Sequence, residues 1–391
     1  MSERVTDGIP FYCSKEIIMK NNGEEISECD YIPAEVYETI SKKFGVPQYG
    51  DLLLTTRGSI GVPYLYRQGD CFYFADGNLT WLKDFNSKLL PSFLYYWFKS
   101  HDGFEAVNAI AKGTAQKAVS IIGIKNLEIP CPPLPVQRRI ADILSAYDDL
   151  IENNRKQIKL LEEAAQRLYK EWFIDLRFPG HEHTPIINGI PAGWKVGPAI
   201  DFFNITIGKT PPRSEHQCFT RGEAGIPWVS ISDMGASGAY MFSTAEGLTR
   251  ESVVQYNVKI IPAGTILLSF KLTLGRVTIA TESCCTNEAI AHFYMLETKL
   301  TEYTYLYLRN FKYDTLGNTS SISRAVNSSI VKGMTFVMPP ATIISEFSKR
   351  LKPVFQKIYL LQRSALLAQS SRDRLLPKLM SGEIDLAAAG M

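Results

Sequence analysis

The chain has 391 residues, 45% of them hydrophobic and 21% charged, with 42 Lys+Arg against 40 Asp+Glu and a net charge of +2. That length holds two to three domains, and the balance is that of a globular protein, which excludes a disordered or fibrous chain. No apolar run approaches the roughly 18 residues of a membrane span, and Met1-Ser2-Glu3-Arg4 opens no apolar signal region, so a cytoplasmic location without membrane contact is expected.

Residues 1–133 read as a first mixed α/β domain. Gly8-Ile9-Pro10-Phe11 opens it, and Gly50 to Thr56 combines a leucine-rich run with glycine punctuation, as a strand entering a tight turn does, with Gly61 beyond. The aromatic-rich stretch Leu89 to Lys99 predicts a helix whose rings serve the core, and Lys117-Ala118-Val119 and Pro132-Pro133 close the domain. Residues 134–176 follow as a long helix. Ile140, Leu144, Tyr147, Ile151, Asn154, Ile158, Leu161, Ala165, Leu168 and Trp172 step alternately by four and three, one stripe with Asn154 as its polar exception.

Arg177 to Trp194 is rich in turn formers and begins the third segment, 177–338, as a linker. A second mixed α/β domain carries Gly225-Ile226-Pro227-Trp228, a strand from Gly264 to Phe270 with Gly275 beyond, a helix over Tyr303 to Phe311, then Arg324-Ala325-Val326 and Pro339-Pro340. The last segment, 339–391, holds a second stripe of Phe347, Leu351, Val354, Ile358, Leu361, Ala365, Ala368, Arg372, Leu375 and Leu379, with Arg372 as the polar exception, and a tail.

The two halves are a duplication. Their landmarks are offset by 217 residues at Gly8/Gly225, 214 at Gly50/Gly264 and 207 at both Lys117/Arg324 and Pro132/Pro339, a one-way drift that loop deletions in one copy produce. The repeated unit is a whole domain plus a helix, not a solenoid repeat. Each stripe would run about 33 residues and roughly 50 Å as a helix, too apolar on one side to stand alone. The intervening domain returns the chain to its starting side, so the two helices are expected to pair antiparallel as a coiled coil.

A search for catalytic constellations finds none. Gly208-Lys209-Thr210 resembles the end of a phosphate-binding loop, but Phe203 stands where that loop needs its first glycine. His181-Glu182-His183 lies in the linker without a third ligand at helical spacing. Cysteines 13, 29, 71, 131, 218, 284 and 285 form no CxxC pair, which predicts reduced thiols acting as small buried hydrophobes and no metal site. There is no Gly-x-Gly-x-x-Gly for a dinucleotide or S-adenosylmethionine, no Asn-Pro-Pro-Tyr-like tetrapeptide for amino methylation of a base, and no helicase signature. Charge is distributed unevenly: Asp142, Asp148, Asp149, Glu152, Glu162, Glu163 and Glu171 fall in the first long helix, which leaves the flanking domains more basic than the average. The pattern predicts a non-catalytic subunit that recognises while other chains react.

The run Ile129-Pro-Cys-Pro-Pro-Leu-Pro-Val-Gln137-Arg-Arg-Ile-Ala-Asp-Ile-Leu-Ser-Ala-Tyr-Asp-Asp-Leu-Ile151-Glu-Asn-Asn closely resembles the central region of the specificity subunits of Type I restriction-modification systems. Gly50 to Gly61 and Lys112 to Lys117 are similar to segments of that family's target-recognition domains, and the order domain, helix, domain, helix matches across essentially the whole chain. The resemblance implies a subunit that reads double-stranded DNA and holds two copies of the modification subunit, and through them restriction subunits. It implies no cofactor in this chain, with S-adenosylmethionine in the modification subunit and ATP and Mg in the restriction subunit.

Candidate DNA contacts follow from the repeat. Arg57 matches Lys271 and Lys117 matches Arg324, and positive charge kept at matched positions suits phosphate contact. Thr114 and Gln116 against Ser321 and Ser323 differ between the copies, as residues reading different bases would. Lys112, Lys209 and Arg213, beside glycine- and proline-rich turns, complete the set. One departure stands out: about 31 residues, Trp194 to Ala224, precede Gly225-Ile-Pro, whereas Gly8-Ile-Pro follows the start almost at once, so the first domain is expected to lack its opening segment. A coiled-coil protein-interaction scaffold without DNA specificity is the alternative reading, and a nuclease with an unrecognised site a third.

Overall fold

The computed structural model describes residues 4–74, 77–113, 117–221, 224–271, 273–294, 300–316, 326–384 and 386. The chain divides into two compact units: unit 1 is residues 1–152 with 366–391, and unit 2 is residues 153–365. Each holds one mixed α/β domain with part of both long helices. No described helix is long and apolar enough to cross a membrane.

Unit 1 contains strands β1 (Ile9–Tyr12), β2 (Asp30–Ile32), β3 (Leu52–Thr55), β4 (Pro63–Leu65), β5 (Tyr73–Phe74) and β6 (Leu79–Leu82), with helices α1 (Ser14–Asn21), α2 (Ala34–Phe44), α3 (Pro91–Lys99), α4 (His101–Ala109) and α5 (Ile121–Lys125). Its two sheets run β2-β1-β5 and β4-β3-β6. Strand β3 is apolar at three successive positions because both faces are covered. Leu52 and Leu54 join the cluster of Phe93, Trp97 and Val107, while Leu53 packs with Ile17, Tyr64 and Phe72. All six residues from Phe93 to Phe98 are buried, so the aromatic run of α3 is core, as its sequence predicts.

The long helix α6 (Leu134–Tyr169) continues through a π turn to Ile174. Unit 2 begins within it and contains β7 (Ile186–Ile187), β8 (Ile190–Pro191), β9 (Lys195–Pro198), β10 (Asn204–Ile207), β11 (Phe219–Arg221), β12 (Ile226–Val229), β13 (Tyr240–Met241), β14 (Glu246–Leu248), β15 (Ile266–Ser269), β16 (Val277–Ala280), β17 (Cys285–Thr286), β18 (Ile290–Tyr294) and β19 (Thr335–Met338). Helices α7 (Ile231–Ala236), α8 (Arg250–Gln255), α9 (Thr301–Asn310) and α10 (Ser328–Gly333) precede the second long helix, α11 (Ala341–Met380). The sheets run β10-β18-β15-β16-β13 and β11-β14-β12-β17, with β9 paired to β19 and β7 to β8.

Both heptad stripes contribute buried residues to each unit. In unit 2 the rings of Trp172 and Phe347 lie 5.5 Å apart, and Asn154 Nδ2 donates to Ser364 Oγ at 3.0 Å. Moving up α6 from 154 to 172 moves the partner down α11 from 364 to 347, so the pairing is antiparallel. In unit 1, Ile140 and Leu144 share a core with Leu376 and Leu379. Arg372 bonds Asp148, which also accepts the Tyr96 hydroxyl at 2.8 Å and lies 3.7 Å from Lys99. Burial opposes the charge of Asp148, but Lys99 and the Arg372 bond outweigh it and hold the carboxyl below its usual range. Both polar exceptions of the stripes are therefore satisfied, as buried polar groups require.

Of the predicted seam, Ile140, Leu144, Ile151, Asn154, Phe347, Leu351, Ile358 and Leu361 are buried, while Tyr147, Ile158, Leu161, Leu168, Val354 and Leu375 are half-buried. Tyr169, Phe173, Ile344, Phe355 and Leu376, outside the stripe, are also buried. Each helix faces a domain core as well as its neighbour, which widens its apolar arc beyond a coiled-coil seam. The cysteines correct one expectation: all seven are free, but only Cys218, Cys284 and Cys285 are buried, while Cys71 and Cys131 are exposed in loops.

The duplication is visible in strand register. Strand β1 lies between antiparallel β2 and parallel β5, with Phe11 opposite Tyr73, as β12 lies between β14 and β17, with Trp228 opposite Cys285. Gly8 (φ +156°) and Gly225 (φ +95°) enter these strands so closely that a Cβ would stand 2.4 Å from the Ile32 carbonyl oxygen and 2.7 Å from that of Leu248. No other residue fits either place.

Candidate nucleic-acid interface

One loop is built twice. After β3, the Thr55 N–H donates to the Val62 carbonyl at 3.0 Å, its Oγ1 to the Ser59 carbonyl at 2.5 Å, and the Gly61 N–H returns to the Thr55 carbonyl at 2.9 Å. After β15, the Ser269 N–H donates to the Arg276 carbonyl at 2.9 Å, its Oγ to the Thr273 carbonyl at 2.5 Å, and the Gly275 N–H returns to Ser269 at 3.0 Å. Gly61 and Gly275 take φ of +89° and +87° to close the loops, a backbone that favours glycine. Arg57 and Lys271 stand exposed at the same place, two residues beyond the anchoring hydroxyl.

In unit 1 a second segment crosses this loop. Lys112 and Ala118 exchange backbone bonds, each 2.9 Å, Ala118 bridges to Arg57, and the Val119 N–H donates to the Thr56 carbonyl at 3.0 Å. Arg57, Lys112 and Lys117 are thus brought together, all exposed. Arg57 and Lys117 line an open depression with Ser14, Lys15, Ser59 and Asn78, and Glu24 contributes one carboxylate. Sequence reasoning missed Ser14, Lys15 and Asn78. The repeat aligns Lys15 with Ser232, so a comparison seeking matched basic residues passes over it. Such a rim of cations and small polar groups suits phosphate contact beside base edges.

In unit 2, Lys209 is exposed, and its N–H donates to the Thr286 carbonyl at 3.0 Å. Arg213 is engaged within the unit: its Nη1 reaches both Glu246 carboxylate oxygens at 3.0 and 2.8 Å, and its guanidinium lies over the rings of Phe219 and Trp228. Glu288 bonds the Thr210 hydroxyl. Burial opposes its charge, but the Thr210 bond, Lys271 and Arg213 outweigh that and hold the carboxyl below its usual range. The cations of unit 2 are therefore partly neutralised from within. Thr114, Gln116, Ser321, Ser323 and Arg324 lie outside the described residues.

The strands behind this rim are held by a buried imidazole. His292 Nδ1 lies 2.9 Å from Thr206 Oγ1 and Nε2 lies 2.7 Å from Thr286 Oγ1. Burial, with Lys259 adding to it, lowers its pKa to about 3. The unfolded chain, with a histidine near pH 6.5, takes up a proton that the folded unit refuses. Stability is therefore full above about pH 6.5 and declines towards pH 3 by about 1.4 kcal/mol per unit. Thermal melts across that range should show this slope, flattened in His292→Gln; an equal slope in the variant would assign it to other groups.

Comparison with known proteins agrees with the doubled architecture. The model of the "Type I restriction modification DNA specificity domain" matches twice, over residues 9–163 and 191–366. The chain belongs to the Type I restriction-modification DNA specificity family. Among curated relatives of this specificity subunit, the Type I restriction enzyme MjaIX specificity subunit of Methanocaldococcus jannaschii is 27% identical over 86% of this chain and 78% of its own length. The HindI specificity subunit of Haemophilus influenzae is 22% identical over 98% of each. The fold is similar to that of the crystal structure of the Type I restriction-modification S subunit from M. genitalium, with a TM-score of 0.61, 18% identity, and coverage of 97% of this chain and 91% of the other. Each family match takes in one mixed α/β domain of this specificity subunit and part of the long helix that follows it.

Proposed function

We propose that this specificity subunit reads a split double-stranded DNA target, one half through the rim of unit 1 and the other through that of unit 2, and holds two copies of a modification subunit. The observation that carries this reading is the loop built twice with Arg57 and Lys271 at its tip: one mounting, repeated, set among different neighbours. Unit 1 supplies Lys15, Asn78 and Lys117 around it, and unit 2 supplies Thr210, Arg213 and Glu288. Two copies of one partner suit a second pair of matched positions. Leu160 on α6 and Leu367 on α11, equivalent in the repeat, are 65% and 59% exposed. Apolar side chains presented twice at repeat-equivalent places suit one kind of partner docking twice. Restriction subunits would join through those partners, and the chemistry, with S-adenosylmethionine, ATP and Mg, would belong to them.

The test is DNA binding across a salt series. Arg57→Ala and Lys271→Ala should each weaken binding to all sequences and lower the slope of log affinity against log salt by about one. The Lys271 effect should be the smaller, because Glu288 already offsets part of that charge. The methylated sequence should not change. Unaltered affinity with a shifted methylation motif would mean that these residues read bases instead of phosphates.

A further inference from the structure

Unit 2 shows what closes a sheet edge that unit 1 leaves open. Strands β3 and β15 hold equivalent partners in the same register: Leu52 faces Leu82 and Leu54 faces Thr80 on β6, as Ile266 faces Phe293 and Leu268 faces Ala291 on β18. On its far side β18 is closed by antiparallel β10, from Asn204 opposite Tyr294 to Ile207 opposite Ala291, and the Gly208 N–H donates to the Ile290 carbonyl at 3.1 Å. Among the described residues β6 has no strand on its far side. Thr80, Trp81 and Leu82 are half-buried there, where Ala291, His292 and Phe293 are buried.

A second pairing differs in the same way. In unit 2, β19 is paired with β9, and its Phe336 is wholly buried. The repeat-equivalent residues 128–131 form no strand, and Glu128, Pro130 and Cys131 are exposed. Both closing strands, β9 and β10, come from the one stretch between residues 195 and 207.

The open edge has a defined hydrogen-bonding face. Thr56 N–H bonds the Asn78 carbonyl, and bonded pairs alternate along an antiparallel ladder. Thr80 and Leu82 therefore turn their peptide groups to β3, while Leu79 and Trp81 turn theirs outward. Unpaired groups of this kind are a template for an added strand.

We propose that unit 1 binds one extended segment with the chemistry of residues 195–207, its first strand along 128–131 and its second antiparallel to β6. The occupant is defined by its duplicate: β10 presents Ile205 to the core of unit 2 and Thr206 to the His292 ring. In unit 1, Trp81 stands at the position of His292, and Leu82 at that of Phe293. This inference does not depend on DNA reading.

A synthetic peptide of residues 194–210, added to the full-length chain, tests it by hydrogen exchange. The outward-facing amides of Leu79 and Trp81, and those of Ile129 and Cys131, should gain protection. A peptide carrying Thr206→Pro should fail, because Thr206 lies opposite His292 at a bonded pair and proline removes the N–H that the register needs. Three outcomes would overturn the proposal: no protection with the native peptide, equal protection with a scrambled one, or protection confined to unit 2, where it would mean exchange with β10.

Discussion

Exchanging residues from Pro191 to Pro339 for the matching region of a relative changes one half of the methylated motif and leaves the other half as it was. The expectation rests on where that region falls: every one of its residues belongs to unit 2, and none to unit 1. The Arg57 rim, with Lys117 and the backbone bonds of Lys112 to Ala118, is untouched by the exchange. The core of unit 2 still receives Trp172 and Phe347 from the helices, so the incoming domain meets the same mounting. Methylome sequencing of cells carrying the hybrid with its modification subunit reads the result directly. A change in both halves of the motif, or a continuous motif, would refute the division of labour between the units.

Replacing Ile151 or Ile358 by Asp abolishes assembly. The two side chains are 5% and 1% exposed, so a carboxylate at either site would be buried in an apolar seam. An uncompensated buried charge costs on the order of 3–5 kcal/mol, a large share of the roughly 5–15 kcal/mol that holds a domain folded. Ile151→Asp strikes unit 1 and Ile358→Asp unit 2, so calorimetry should show a different transition lowered in each. Ile→Val at either position, costing about 0.5–1.5 kcal/mol, should leave assembly with the modification subunit intact. Wild-type melting and assembly in both Asp variants would contradict the buried seam.

Much of the architecture was legible in the sequence because it is written in local signals. A step of alternating four and three residues places Ile140 and Leu144, or Phe347 and Leu351, on one face of a helix whatever the rest of the chain does. Gly61 and Gly275 mark loops whose backbone only glycine adopts readily, and the duplicated loops formed where those glycines stand. The domain-helix-domain-helix order, and from it the family, could therefore be read before any coordinates.

What tertiary structure alone decided is which distant residues meet. Nothing near Arg57 in sequence signals that Lys15 and Asn78 share its depression, because strand pairing joins segments far apart in the chain. Arg213 reads as a free cation beside a proline-rich turn, yet the fold places Glu246 and two aromatic rings against it. Asn154 and Arg372 stand in their stripes as unexplained polar breaks until Ser364 and Asp148 are brought opposite them. Periodicity and turn chemistry act over a few residues, and so survive in the sequence as pattern. Ion pairing, strand neighbours and burial depend on separations through space that only the folded chain defines.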